Sequence, residues 1–212
     1  MKITVFGATG RIGGQVVAQA LAAGHKVAAV VRESSEFDLD HPSLEVFRVA
    51  GLTDAEALRP ALDGSAAVIS GVGARGRKDG PVATDSTRSI LNAMSAVGVR
   101  RFVAVSAIPL GPVPADESFL NRRVVLPLIN AFAADVYADL RLMEKEIMSS
   151  STEWTIVRPP KLNDKPLTGK YRVSVGGTVP RTYAISRADV AHLMLAALDD
   201  PAMLNQPVSV GY

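Results

Sequence analysis

The sequence predicts an α/β fold, a doubly wound and mainly parallel sheet with a small C-terminal cap, in one domain over residues 1–212. Three observations predict it. Through the first half, short apolar runs alternate with stretches of helical character, the pattern of βα units joined by right-handed crossovers. Apolar residues make up 48% of the chain and aromatics only 5%, so the core must be built from Ala, Val, Leu and Ile, as suits strands covered on both faces. At 212 residues a single domain buries roughly 70% of the surface its unfolded chain exposes, enough to fold without disulfides or a structural metal.

Lys2–Phe6 reads as the first strand. The loop after it opens an Ala-rich helix from Arg11 to Ala23, which Gly24 ends as a C-cap. Lys26–Val31 and Leu44–Val49 are the second and third strands, and Thr53 or Asp54 caps a helix over Ala55–Leu62. Ala66–Ser70 is the fourth strand, Thr84–Val97 a helix and Arg101–Ser106 the fifth strand. Beyond it, Pro109, Pro112 and Pro114 rule out a regular helix and leave an irregular loop. A long helical stretch then runs to about Ser149, interrupted near Pro127. Glu153–Arg158 is the sixth strand, stopped by Pro159 and Pro160. Pro166 to Gly177 is a loop leading into a short strand, Lys170–Val175. Ser186, with Asp189 in the capping-box position, starts a last helix to Leu198. On this reading the C-terminal third caps the carboxyl edge of the sheet, where open α/β sheets bind ligands.

The chain has no cysteine. That removes disulfides, thiolate metal sites and cysteine nucleophiles, and suits a reducing compartment. Met1 runs straight into the first strand, leaving no room for a cleavable signal, and no apolar run approaches the ~20 residues of a membrane helix. A cytoplasmic protein without a membrane partner is expected. A net charge of +2 is too small to imply nucleic-acid binding, and the local cluster Arg75, Arg77 and Lys78 suits a phosphate as well. His25, His41 and His192 lack ligand spacing, so no metal site is expected.

Gly7-Ala8-Thr9-Gly10-Arg11-Ile12-Gly13 has the spacing GxxGxxG directly between a strand and a helix, the context that a dinucleotide fingerprint requires. Its glycines allow a tight turn, approach of the backbone to a pyrophosphate, and close helix–strand packing. The helix N-terminus offers free N–H groups to the phosphates. At the end of the second strand an acidic residue would bond a ribose 2′-hydroxyl, whereas an arginine accommodates a 2′-phosphate. The strand ends on Arg32, and Arg11 is expected to flank the same phosphate through charge-assisted contacts. Glu33 is expected to point to the other face. NADP(H) is therefore the expected cofactor of this Rossmann sheet.

The same fingerprint, with Val31-Arg32-Glu33-Ser34-Ser35 and with Ser106-Ala107 after strand five, resembles the atypical short-chain dehydrogenases/reductases of the NAD(P)H-binding, NmrA-like type. Arg158-Pro159-Pro160, the run from Asp164 to Tyr171 containing Pro166-Leu167-Thr168-Gly169, and the run from Ala184 to Asp189 are similar to the biliverdin-IXβ reductase, or NADPH-dependent flavin reductase, family over nearly the whole chain. The resemblance implies an oxidoreductase. It places Gly7, Thr9, Gly10, Arg11, Ile12 and Gly13 in the phosphate loop and Arg32 at the 2′-phosphate. It sets Val72, Gly73 and Arg75 beside the cofactor after strand four, Ser106 beside the nicotinamide, and Pro159 and Pro160 along its pocket. Ala50-Gly51 departs from the family's Gly-Asp, whose Asp lies near the adenine, and leaves the adenine contacts to Leu52 or to backbone. Two histidines near the family's active site are also absent: Lys161 replaces one, and the other falls at about Leu140. Both losses weigh against biliverdin itself as substrate.

Most short-chain dehydrogenases move a proton through Tyr-xxx-Lys. Here the near match Tyr137-Ala138-Asp139-Leu140-Arg141 ends in arginine, and Tyr137 reads as a helix-surface or core residue. Hydride transfer to a flavin, quinone or similar conjugated small molecule asks less of the protein: binding and alignment, with the proton from solvent. Ser106 either bonds the carboxamide or the acceptor, or ends a buried strand on local backbone. Lys161 either attracts an anionic acceptor or is a plain surface lysine. The expected activity is NADPH-dependent reduction of such an acceptor. The alternative is a non-catalytic NADP(H) sensor that binds a regulatory partner, as some NmrA-like proteins are. An epimerase or dehydratase is disfavoured by the short C-terminal region and the missing lysine.

Overall fold

Side chains alternate across a strand, so a parallel strand with apolar residues at successive positions must be covered on both sides. The computed structural model, which describes residues 1–73, 80–112 and 134–212, shows how that cover is built. The strands are β1 (Lys2–Phe6), β2 (Lys26–Arg32), β3 (Leu44–Val49), β4 (Ala67–Ser70), β5 (Arg101–Val105), β6 (Glu153–Arg158), β7 (Lys161–Asn163), β8 (Arg172–Val175), β9 (Ala184–Ser186) and β10 (Gln206–Gly211). The helices are α1 (Arg11–Ala22), α2 (Ala55–Leu62), α3 (Val82–Val97), α4 (Ala134–Ser149) and α5 (Arg187–Ala196). Eight strands form one sheet in the order β3-β2-β1-β4-β5-β6-β10-β8, parallel except for β8 at its edge, and β7 pairs with β9 in a separate two-stranded sheet. Ile3 and Val5 of β1, Ala29 of β2, Val103 of β5 and Val157 of β6 face Val16 and Val17 of α1 and Val190 and Leu193 of α5. Their neighbours Phe6, Val30, Phe102 and Ile156 face Leu58 of α2, Ile90 of α3 and Ile147 of α4. The sheet is doubly wound, and its order reverses between β1 and β4, which opens a crevice at their carboxyl ends.

Strand and helix bounds agree with the sequence reading to within two residues for most elements. Gly24 ends α1 with φ +79°, and the next residue, His25, donates to the Ala20 carbonyl at 3.0 Å. The C-terminal third differs most. Most of it continues the sheet through β6, β10 and β8, and the cap reduces to the β7–β9 pair, which begins after two intervening residues, Pro159 and Pro160, past the end of β6. The last helix ends at Ala196 instead of Leu198, and β8 begins at Arg172 instead of Lys170. A short 3-10 turn, Ile108–Leu110, accommodates Pro109. Pro114 and Pro127 lie outside the described residues. Among those described, no helix is long and apolar enough to cross a membrane.

Two buried carboxylates hold α4 in place. Asp139 caps α3 from the neighbouring helix, accepting from the N–H groups of Ala83 and Thr84 at 2.9 Å each. Glu144 forks onto Arg158 at the end of β6, at 2.9 and 2.6 Å. A third, Asp189, exceeds the capping-box role expected of it. Ser186 Oγ does accept from the Asp189 N–H at 2.9 Å, but the Ser186 N–H donates to Tyr212 instead of to the Asp189 carboxylate. That carboxylate accepts from Thr168 N–H and Oγ1 at 2.9 Å each, Gly169 N–H at 2.8 Å, Ser186 Oγ at 3.0 Å and Tyr212 Oη at 2.5 Å. The Pro166-Leu167-Thr168-Gly169 segment is thus a latch onto α5, with Gly169 at φ +65°.

Burial acts to raise the Asp189 pKa from its ordinary 3.8, but the hydrogen bonds from Tyr212, Gly169 and Thr168 outweigh it and hold the value at about 2. A lowered folded-state pKa contributes stability that is complete above the unfolded value and lost as pH falls through the folded one. Asp189→Asn should therefore lower the melting temperature at neutral pH, by the equivalent of roughly 2–4 kcal/mol. The gap to the parent protein should narrow between about pH 4 and pH 2. Thermal melts of both proteins across that range test this, and a gap of constant size would refute the assignment.

Candidate functional site

The glycine loop is shaped by three different constraints. Gly7 has φ +73°, and a Cβ on it would lie 2.9 Å from the carbonyl carbon of Gly71. Gly13 packs α1 onto the loop so closely that a Cβ would run into the Gly7 carbonyl oxygen and stand 2.7 Å from its carbon. Gly10 closes the turn, its N–H donating to the Gly7 carbonyl at 2.8 Å. With φ −81° and ψ 162°, it is the N-cap of α1. A Cβ there would meet only that Gly7 oxygen, at 3.0 Å. No side chain caps α1 and no acidic residue stands in its first turn. Its leading N–H groups and the positive end of its dipole therefore face outward with no internal anion.

The crevice above the loop is a cleft of about 660 Å³. Gly7, Thr9 and Gly10 form its floor, and Val30 and Arg32 bring in the end of β2. Ala50 to Thr53 follow β3, Gly71 to Gly73 follow β4, and Pro81, Val82, Asp85 and Ser86 come from the start of α3. Backbone bonds fix the rim: Gly71 N–H donates to the Phe6 carbonyl at 3.0 Å and Glu33 N–H to the Val49 carbonyl at 2.9 Å. Of the residues expected at a cofactor, the cleft gathers Gly7, Thr9, Gly10, Arg32, Leu52, Val72 and Gly73.

The other expected residues lie elsewhere. Arg11 starts α1 but is not among the residues lining the cleft. Its guanidinium reaches Asp164 at 3.2 Å, and Asp164 also binds Arg187 at 2.6 Å. The side chain of Ile12 is buried in the core under α1, so only its backbone faces the loop. Pro159 is buried, Pro160 half-buried and Lys161 exposed at the start of β7, beyond the end of β6. Arg75 lies outside the described residues. Ser106 sits one residue past β5, its N–H on the Val157 carbonyl at 2.7 Å. Its buried hydroxyl has no hydrogen-bond partner among the described residues. An unsatisfied buried hydroxyl costs roughly 1–3 kcal/mol, which a polar ligand atom would relieve.

Sequence reasoning missed Gly71 and the start of α3. Gly71 had a signal, a glycine at the end of a strand, and its own Cβ would come within 3.1 Å of Gly13 N. Asp85 and Ser86 had none, because only the fold carries α3 to the glycine loop.

The NAD(P)H-binding family matches residues 7–201. An uncharacterized chloroplastic protein of Arabidopsis thaliana is 33% identical over 205 residues, covering 93% of this chain and 71% of that protein. A Bacillus subtilis protein named an uncharacterized sugar epimerase is 29% identical, over 94% of this chain and 89% of that protein. Uncharacterized proteins of Mycobacterium bovis and Mycobacterium tuberculosis are 34% identical over 120 residues, and the match spans only 13% of their length. Among solved structures, a short-chain dehydrogenase/reductase of Veillonella parvula in complex with NADP has a TM-score of 0.81 at 19% identity, covering 100% of this chain and 94% of that one. ChuY, an anaerobilin reductase of Escherichia coli O157:H7, has a TM-score of 0.74 at 21% identity, with coverage of 99% and 96%. Both structural likenesses are of fold.

Proposed function

The chain belongs to the NAD(P)H-binding family, and from that premise we propose that it is an NADPH-dependent reductase of a flavin, a quinone or a similar conjugated acceptor. The cleft fits such a cofactor. Gly10 leaves room where a Cβ would stand, and the uncapped N–H groups of α1 suit a pyrophosphate. Arg32 offers a forked cation to the 2′-phosphate, while Leu52 and Val72 offer apolar walls to the base. Ser106 has a free hydroxyl for the carboxamide or for the acceptor. When bound, the nicotinamide supplies the hydride. The protein's own residues hold the rings in register and keep bulk water from between them.

The observation that carries the reductase reading is the condition of the tyrosines, of which the chain has four. Tyr137, on α4, is partly buried against the core under α2, α3 and α4, and burial pushes its phenol pKa up, away from the range of a proton donor near neutral pH. Arg141, four residues on, is exposed. Tyr171 is held by His192 at 2.6 Å and pushed up to about 12, chiefly by burial and then by the Asp189 charge. Tyr212 is committed to Asp189, and Tyr183 is exposed. Among the described residues no tyrosine is hydrogen-bonded to a lysine. A conjugated acceptor needs no such dyad, whereas an alcohol or sugar substrate does.

Loss of reduced-nicotinamide absorbance with FMN or a soluble quinone tests the proposal. Turnover is expected, and Tyr137→Phe should retain it within several-fold, since loss of a true general acid would lower the rate by roughly 10²–10⁴. Ser106→Ala should lower it more than Tyr137→Phe does. Tight NADPH binding without turnover of any acceptor would favour the sensor reading instead. Cofactor choice is tested separately. The parent protein should bind NADPH roughly tenfold or more tighter than NADH, and Arg32→Ala should erase most of that ratio while leaving NADH affinity in place. Equal dissociation constants in the parent protein would overturn the NADPH assignment.

A further inference from the structure

We propose that Asp85, with Ser86 beside it, reads the base of the cofactor: the Asp85 carboxylate accepts from the exocyclic amine of adenine, and the Ser86 hydroxyl donates to a ring nitrogen. The assignment rests on the dinucleotide reading of the cleft. If Arg32 holds the 2′-phosphate, the base on that same ribose must lie among the residues that share this half of the cleft. Leu52, Val72 and Val82 supply apolar surface for its faces, and Asp85 and Ser86 line the same wall. The apolar residues stack on any base, so discrimination must come from polar groups.

Asp85 is the one carboxylate among the described lining residues. In a cleft built for phosphates a carboxylate is out of place unless it meets a hydrogen-bond donor. The structural tasks open to it are already filled. Asp139 caps α3, bonding the N–H groups of Ala83 and Thr84. Arg88, three residues on, lies 3.3 Å from Asp85 but has a shorter contact of 2.8 Å to Glu146. An exposed pair of this kind contributes little, so the Asp85 side chain is free to turn into the cleft. Ser86 is the second, independent sign. It is only 3% exposed, yet it lines the cleft, so the little surface it keeps faces the cleft. A ring nitrogen of the base would accept from a hydroxyl placed there.

Calorimetric titration of the whole protein with NADPH and with its hypoxanthine analogue, in which an oxo group replaces the exocyclic amine, tests the assignment. The parent protein should bind NADPH about tenfold or more tighter, since the oxo group presents an acceptor to the carboxylate. Asp85→Ala should weaken NADPH binding and leave the analogue unchanged or slightly tighter, so that the ratio narrows sharply. Asp85→Asn keeps the size of the side chain and can turn its amide to donate to the oxo group, so it too should narrow the ratio. The melting temperature should hold in both variants, because Asp139 still caps α3. A parent ratio near one, or a ratio that persists in both variants, overturns the assignment and leaves the dinucleotide site standing. Failure of the parent protein to bind NADPH at all overturns both.

Discussion

Gly13→Ala should destabilise the fold by about 3–5 kcal/mol, while Gly14→Ala, one residue along the same helix, should leave it unchanged or stabilise it by roughly 0.5–1 kcal/mol. The opposite signs follow from what each new methyl would meet. At Gly13 it overlaps the Gly7 carbonyl oxygen and stands 2.7 Å from the Gly7 carbon and 3.1 Å from Ala8 N, all of them backbone. No rotamer change relieves such a contact. Either the loop opens, breaking the Gly10–Gly7 hydrogen bond, or α1 lifts from the sheet that Val16, Val17, Ala20 and Leu21 pack against. At Gly14 the methyl would meet only the Ala8 carbonyl oxygen, at an ordinary 3.5 Å, and alanine loses less backbone entropy than glycine in a helix. In a domain of this size roughly 2–4 °C of melting temperature corresponds to each kcal/mol. Thermal unfolding followed by circular dichroism therefore separates the two variants by about 6 °C or more. Similar melting temperatures would show that the loop yields more readily than its geometry implies.

That contrast also shows where the sequence was readable. The glycine loop is local: its spacing, the strand before it and the helix after it all lie within a short stretch, so its constraints could be read in order. Strands β1, β2, β4, β5 and β6 were readable for a related reason, since burial on both faces gives them nearly continuous apolar runs. β10 was not, because Gln206-Pro207 begins it and Gly211 ends it, and proline and glycine ordinarily mark turns. β7 and β9 have three residues each, too few for any period, and β7 comes directly after the two prolines that close β6.

The site itself divides along the same line. Arg32 and the glycines were legible, being set by one strand and one turn. Gly71 and the first turns of α3 reach the cleft only because the strand order places β4 beside β1, a pairing of residues far apart in the chain. Arg11 was assigned to the 2′-phosphate from its place in the loop. In the structure its guanidinium lies on Asp164, more than a hundred residues away, a contact that no local pattern discloses. Asp189 shows the same limit: a capping box was visible, but its remaining donors come from Thr168, Gly169 and Tyr212.

Gly10→Val should abolish tight binding of NADPH, weakening it at least about a hundredfold, while the protein remains folded. Gly10 has ordinary extended dihedrals that any residue adopts, and its new side chain would press only on the Gly7 carbonyl oxygen at 3.0 Å. A shift of a few tenths of an ångström relieves that contact. Valine is a poorer N-cap than glycine, so a loss of up to roughly 1 kcal/mol is expected, small against the 5–15 kcal/mol of a typical domain. Otherwise the side chain projects into the cleft that Gly10 lines, over the uncapped N–H groups of α1. There it displaces the pyrophosphate from the helix N-terminus and shields the positive end of the dipole, removing short-range contacts together with the charge attraction. The expected result is a near-native melting curve together with a flat calorimetric titration against NADPH. Gly13→Ala inverts the pattern, lowering the melting temperature first and binding only in consequence. A folded Gly10→Val variant that bound NADPH with parental affinity would remove the loop from the cofactor site, and with it the dinucleotide reading of the cleft.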